Sequence, residues 1–269
     1  INTIERCVKS VAEQTFRDYE HIIVDGASTD GTVAFLKSKK DLFSVCISEP
    51  DTGIYNAWNK AMRYARGEWI LFLGADDILA NPYVLSDVAV FITENKAGSG
   101  IVYGDVMMVS KGNYLDWHLD RVDPADIGKN VRGEIRPLLP CHSGIFHHRD
   151  LLNKYGPFDE SYRICADAKL LLNALYKEHE QVLHLSKMVY KMSLGGVCNS
   201  ISTKATEENI RLLNELDIPF SLFWAKQNLL KARLKLLIVK IFGVRIANKL
   251  IDCVRFLKVK VDLKNCYPK

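Results

Sequence analysis

Two acidic clusters stand at the ends of short apolar runs. The first is His21-Ile-Ile-Val-Asp25-Gly-Ala-Ser-Thr-Asp30-Gly31, and the second is Trp69-Ile-Leu-Phe-Leu-Gly74-Ala-Asp76-Asp77. Carboxylates at the carboxyl ends of buried strands lie where an open α/β sheet holds its ligand. Asp25, followed by glycine, can accept hydrogen bonds from a nucleobase imide or a ribose, whereas Asp30 better fits the cap of a following helix. Asp76 and Asp77 offer the hard oxygens that Mg²⁺ or Mn²⁺ takes, often from one or two carboxylates plus substrate phosphates. The same pair can also form a simple turn before Pro82. A third acidic segment, Glu49-Pro-Asp51-Thr-Gly53, leads into Asn56, Asn59 and Lys60. It can reach the same crevice, or it can be turn chemistry alone.

Elements that could position these groups follow from periodicity. Thr3 to Gln14 reads as a helix with Ile4, Cys7, Val8 and Val11 on one face. Ile22 to Val24 and Phe43 to Ile47 read as strands, with a helix from Gly31 to Lys40 between them. Ile54 to Arg66 reads as a helix stopped by Gly67. Trp69 to Leu73 reads as a strand buried on both faces, as parallel strands are. Asn81-Pro82 opens a further helix, and Ile101 to Tyr103 begins a strand. The alternation predicts an α/β fold with a mainly parallel, Rossmann-like sheet flanked by helices. Lys111 to Pro140 is rich in Gly and Pro, and a connection this long is usually functional. Ala168 to Tyr176 reads as helix and Gln181 to Met192 as strand. A sheet of this kind should open on a buried strand, and the first element here is a helix, so roughly one strand is expected to be missing from the start.

The chain has 269 residues and a net charge of +4, with ordinary hydrophobic and charged content. That suits one large domain or a domain with an appendage, and the mild charge selects no partner. Seven cysteines without a Cys-x-x-Cys argue against structural zinc or a disulfide framework and for a reducing compartment. Neither a signal peptide nor an apolar run long enough to span a bilayer stands out.

In order along residues 1 to 200, several segments resemble family 2 glycosyltransferases of the GT-A fold. They are Ser10 to Phe16, Ile22 to Thr32, Ser48-Glu-Pro-Asp-Thr-Gly-Ile-Tyr-Asn-Ala-Trp-Asn-Lys60, Gly67 to Asp77 and Gly156-Pro-Phe-Asp-Glu160. The Asp-Gly-x-Ser-Thr-Asp-Gly and Glu-Pro-Asp-x-Gly-Ile-Tyr forms look most like the branch that builds bacterial surface polysaccharides, the colanic-acid type. The resemblance implies a GT-A catalytic domain over residues 1–205 and an inverting, metal-dependent transfer from a nucleoside-diphosphate sugar to an acceptor hydroxyl. Asp25, Glu49, Asp51, Asn59 and Asp76 would bind the nucleotide sugar, Asp77 would hold Mn²⁺ or Mg²⁺, and Asp167 would be the general base. Asp167 can equally cap a helix. Relatives often carry an acid where this chain has Gly74. His142 and Asp105 are candidate contacts to the acceptor or the diphosphate, although a lone histidine is more often structural. His147 and His148 should point to opposite faces of a strand, and Gly195-Gly196 marks a loop that could close over the donor. The processive motif Gln-x-x-Arg-Trp is absent, which favours single-sugar addition.

Composition changes near the end. From Lys226 to Lys264 there are eleven Lys or Arg against Asp252 and Asp262, interleaved with leucines. Residues 206–269 therefore read as a basic amphipathic helical extension suited to an anionic membrane surface, to packing on the catalytic domain, or to a partner protein. The expected setting is the cytoplasm, with peripheral contact at the inner face of the membrane, a glycan or lipid-linked sugar as acceptor, and no nucleic acid. Two other readings stay open: a sugar nucleotidyltransferase on a related sheet, and a non-catalytic protein that binds nucleotide sugars.

Overall fold

A computed structural model describes residues 1–95, 100–109, 118–120, 122–193 and 202–243. Helix α1 (Ile4–Ala12) buries Ile4, Cys7, Val8 and Val11, the one face that the 3.6-residue period predicts. Strands β1 (Ile22–Asp25) and β2 (Val45–Ser48) pair in parallel, with Asp25 opposite Ser48. Between them lies α2 (Thr32–Ser38). Helix α3 (Ile54–Met62) follows β2 and carries the Tyr55 and Trp58 side chains that recur below.

The larger sheet has the order β3-β7-β5-β8-β4, with β6 (His118–Asp120) added on β5. Its members are β3 (Trp69–Leu71), β4 (Ile78–Leu79), β5 (Ile101–Val109), β7 (Ile145–His148) and β8 (Val182–Ser193). This sheet is more mixed than the strand-helix alternation suggests. Its parallel pair is β5-β8, whereas β3-β7, β5-β7, β4-β8 and β5-β6 are antiparallel. An apolar run reports burial, but it does not encode the direction of a neighbour that arrives many residues later. So β3, read as a doubly buried parallel strand, is a half-buried strand antiparallel to β7.

Side chains of β5 alternate across the sheet. Ile101 and Tyr103 enter a core shared with α5 (Arg149–Tyr155), α6 (Ala166–Leu171), the wider π-helical turn Leu172–Lys177 and α7 (Lys204–Glu215). Val102 and Val106 enter a second core against Val84 and Val88 of α4 (Val84–Glu94). Several boundaries differ from the sequence reading. Helix α3 ends at Met62, so Gly67 is not its cap, and the Gly67 carbonyl instead accepts from Arg149 Nη2 at 2.7 Å. Helix α4 begins after Tyr83, while Asn81 Oδ1 accepts from the Tyr83 amide at 2.8 Å. Gly195-Gly196 and most of the Lys111 to Asp120 stretch lie outside the described residues.

Helix α7 belongs to the main core, although nearly all of it lies beyond residue 205. Leu212 and Leu213 are fully buried in it. Its Glu208 is 4% exposed and accepts from three consecutive amides, those of Arg163 (2.9 Å), Ile164 (2.8 Å) and Cys165 (3.0 Å). The turn that opens α6 is therefore held by a buried carboxylate from another helix. Glu208→Ala would leave these amides without acceptors and should cost roughly 3 kcal/mol or more. Chemical denaturation of both proteins measures this; a loss near zero would mean that the α6 turn is held by something else.

Candidate active site

At the end of β1, Asp25 is nearly buried, and its Oδ2 accepts from the Ser28 amide (2.9 Å) and the Ser48 hydroxyl (2.7 Å). Desolvation pushes its pKa up, but the hydrogen bonds from Ser28, Ser48 and the Ala27 amide outweigh it and hold the carboxyl below its ordinary value. Gly26 comes next for a steric reason: a Cβ there would stand 2.6 Å from Asp51 Oδ2. The absent side chain lets the Asp51 loop close on the β1 end. Asp30 accepts from the Thr32 amide (3.1 Å) and hydroxyl (2.6 Å) just ahead of α2, but the cap position expected for it is held by Gly31.

The second acidic turn is fastened from β8. Because Leu79 is in register with Tyr190, the end of β8 runs beside Asp77. Tyr190 donates its hydroxyl to Asp77 Oδ2 at 2.8 Å, and the Ser193 amide donates to Oδ1 at 2.7 Å. The Gly74 amide donates to the Tyr190 oxygen at 3.0 Å, and the Ser193 hydroxyl donates to the Asp76 carbonyl at 2.6 Å. Asp77 is buried, while Asp76 is half-exposed. Burial raises Asp77 to a pKa of about 6; the Ser193 and Tyr190 bonds oppose that rise and the Asp76 charge adds to it. Gly74 completes the turn, since a Cβ there would lie 2.6 Å from Asp77 Oδ2.

Asp167 lies in the first turn of α6, whose cap is Cys165, so capping is not its role. Burial raises its pKa, opposed by the Tyr55 hydroxyl, the Ala168 amide and the charge of Arg136. Tyr55 Oη lies 2.9 Å from Asp167 Oδ1 and 2.6 Å from the Ile164 carbonyl. Helix α3 thus connects all three acidic regions. The loop before it touches Gly26, Tyr55 meets Asp167, and Trp58 packs on Phe72 at 4.7 Å, two residues ahead of Gly74.

Other residues have different jobs from those expected. Asn59 is a brace and not a free ligand group: it donates to the Phe158 carbonyl and Glu160 Oε1, both at 2.8 Å, and accepts from the Phe158 amide at 2.9 Å. Glu49 is paired with Lys60 at 2.8 Å. His142 stacks on Trp58 at 4.9 Å, and burial pushes its pKa down to about 3, so it is a neutral ring within an aromatic group. His147 and His148 do face opposite ways, His147 fully buried and His148 meeting Glu68 at 3.2 Å. Asp105 is 4% exposed and 2.9 Å from His184 Nε2, inside the sheet rather than at an open cleft. Tyr55, Tyr190, Ser193, His184 and Glu208 had no assigned role from sequence. Gly26 and Gly74 were the local signs that two carboxylates pass close by.

Residues 1–156 match the model of glycosyl transferase family 2. This chain belongs to that family. A PGL/p-HBAD biosynthesis glycosyltransferase of Mycobacterium bovis (strain BCG / Pasteur 1173P2) is 31% identical over 220 residues, covering 79% of this chain and 80% of the relative. Poly(ribitol-phosphate) beta-N-acetylglucosaminyltransferase TarS of Staphylococcus aureus is 30% identical over 111 residues, which is 39% of this chain and 18% of TarS. The crystal structure of TarS 1–349 in complex with UDP superposes with a TM-score of 0.57 at 23% identity, covering 85% of this chain and 66% of that one. Mannosyltransferase PcManGT from Pyrobaculum calidifontis, in complex with GDP-Man and Mn²⁺, gives 0.56 at 16% identity over 95% of this chain and 76% of that one. The protein is a family 2 glycosyltransferase with the GT-A α/β fold.

Among the described residues, no group of three or more His, Cys, Asp or Glu side chains could hold a metal ion alone. The Asp76-Asp77 turn still fits a divalent cation that completes its shell with diphosphate oxygens and water. Burial and a neighbouring negative charge both disfavour ionised Asp77, and a cation at the pair would reverse that balance. Tyr190→Phe removes the hydroxyl that joins Asp77 to the Gly74 amide. It should destabilise this glycosyltransferase by roughly 1–3 kcal/mol, read from denaturant midpoints at constant m-value. An unchanged midpoint would show that the turn does not depend on this bond.

Proposed function

We propose that this glycosyltransferase transfers one sugar, with inversion, from a nucleoside-diphosphate sugar to a hydroxyl of a glycan or lipid-linked sugar in bacterial polysaccharide or glycolipid synthesis. The observation that carries the reading is the convergence on α3 of the Asp25-Asp51 loops, the Asp76-Asp77 turn and the raised-pKa Asp167. Asp25 anchors the base or ribose, with Asp51 beside it and Glu49 entering through its pair with Lys60. Asp76 and Asp77 face the diphosphate. The metal role assigned to Asp77 from sequence is better shared: both Asp77 oxygens already accept bonds, which supports the more open Asp76 as the carboxylate offered outward. Mn²⁺ or Mg²⁺ held there would supply positive charge that stabilises the departing diphosphate. Cytoplasmic action, where such donors are made, is part of the same reading.

Asp167 takes the proton from the acceptor hydroxyl as its oxygen bonds to the anomeric carbon. The bond from that carbon to the diphosphate oxygen breaks, and the diphosphate leaves with the electron pair. One displacement inverts the configuration. Tyr55 holds the Asp167 carboxyl in one orientation throughout.

Screening UDP- and GDP-sugars with Mn²⁺ by thermal shift identifies the donor, because a specific ligand raises apparent stability by mass action. Transfer is then measured with that donor. Asp167→Asn should lower kcat on the order of 10²- to 10⁴-fold while the donor-induced shift persists; full activity in the variant would sink the base assignment. Release of pyrophosphate from a nucleoside triphosphate would instead favour a nucleotidyltransferase.

The pH dependence has a definite sign. The base acts when ionised, and burial raises the Asp167 pKa, so kcat/KM falls as pH drops through a value above the ordinary carboxylate range. The Tyr55 bond acts in the opposite sense. Tyr55→Phe should therefore move the acidic limb to higher pH, with activity recovering in alkaline buffer. A limb that stays in place would separate Tyr55 from the titrating group.

A further inference from the structure

We propose that the helix spanning residues 222–243, α8, lies in the plane of an anionic lipid surface and docks the protein there. It contains Lys226, Lys231, Arg233, Lys235 and Lys240 and no acidic residue. Its inner side faces the protein: Ala225 is buried, and Asn228 Nδ2 donates to the Gly133 carbonyl at 3.2 Å. At about 100° per residue, Phe223, Leu230, Leu234, Leu237 and Ile241 fall in one stripe on the opposite side. All five are at least half exposed, from 50% at Leu234 to 61% at Ile241. By the same geometry Lys226, Arg233 and Lys240 border the stripe on one flank, and Lys231 and Lys235 border it on the other.

The chemistry selects the partner. An apolar stripe with positive charge along both edges needs an apolar medium beneath it and negative charge at the rim. A bilayer with anionic headgroups offers both: the leucines enter the acyl boundary while lysine and arginine stems reach back to the phosphates. Among the described residues no helix is long and apolar enough to cross a membrane, so α8 lies along the surface. The Asn228 bond ties α8 to the segment that leads into Cys141 and His142, so docking also sets how the transferase cleft faces the surface. The inference stands apart from the catalytic reading, because an inactive protein would bind in the same way.

The test uses the whole chain in sedimentation with phosphatidylcholine vesicles, with and without phosphatidylglycerol. Binding should be about tenfold or more tighter with the anionic lipid, given roughly 1 kcal/mol per basic residue near such a surface, and should weaken in high salt. Replacing Leu234 and Leu237 together by serine should abolish binding with an unchanged thermal melt. Replacing Lys231 and Lys235 together by glutamine should weaken the preference for anionic lipid, with Lys226, Arg233 and Lys240 keeping part of it. The proposal is overturned by equal binding of the serine variant. It is also overturned by no binding of the parent, or by a parent dimer that the serine pair dissociates without any vesicle binding by either protein.

Discussion

One hydroxyl group constrains the centre of this glycosyltransferase. Tyr55 Oη stands within hydrogen-bond distance of both the Ile164 carbonyl and Asp167 Oδ1, yet it has a single proton to donate. With Asp167 ionised, the two acceptors compete for that proton. With Asp167 protonated, the carboxyl can donate to the tyrosine oxygen while the tyrosine donates to Ile164. Burial raises the Asp167 pKa, and the Tyr55 bond, made to the ionised carboxylate, opposes that rise. The arrangement can thus receive a proton at Asp167 without moving a heavy atom.

Fixing that geometry takes support from both sides. From α7, Glu208 holds the amides of Arg163, Ile164 and Cys165, so the carbonyl that competes for the Tyr55 proton is itself immobilised. From α3, Tyr55 is held by aromatic contacts with Trp58 at 5.3 Å and Phe158 at 5.8 Å. Asn59 locks the Phe158 turn through both the carbonyl and the amide of that residue. Edge-on and offset ring pairs add modest energy beyond area burial. Their larger effect here is positional, because Trp58 also stacks on His142 and packs on Phe72. The aromatic group joins the strand that leads into the Asp76-Asp77 turn to the helix that orients Asp167.

What could be read in the sequence was what local periodicity encodes. The buried face of α1, strands β1, β2 and β8, and the acidic turns after β1 and β3 all follow from patterns a few residues long. Strand direction in the larger sheet did not, because β3 finds β7 and β5 finds β8 across long separations. The same limit hid Tyr190, which is 113 residues from Asp77, and Ser193, which is 116 away. Asn59 and Asp105 show a different limit. Polar residues in or near a motif declare their capacity to bond, but not whether the bond goes to a ligand or to the protein. Asn59 bonds to the Phe158 turn and Asp105 to His184.

The acidic turn shows how the two kinds of information combine. Two adjacent aspartates look equivalent in sequence, and backbone geometry separates them. Tyr190 and the Ser193 amide pull Asp77 inward, and Gly74 leaves room for its carboxylate to fold back over the turn. Asp76 is left half-exposed, held through its carbonyl by the Ser193 hydroxyl. An acid at position 74 would put a Cβ 2.6 Å from Asp77 Oδ2, so the glycine and the inward aspartate belong to one arrangement. The buried member supplies negative potential and rigidity, and the open member supplies an accessible oxygen. A cation bound there would have few protein ligands, so its affinity would depend on other oxygens such as those of a diphosphate.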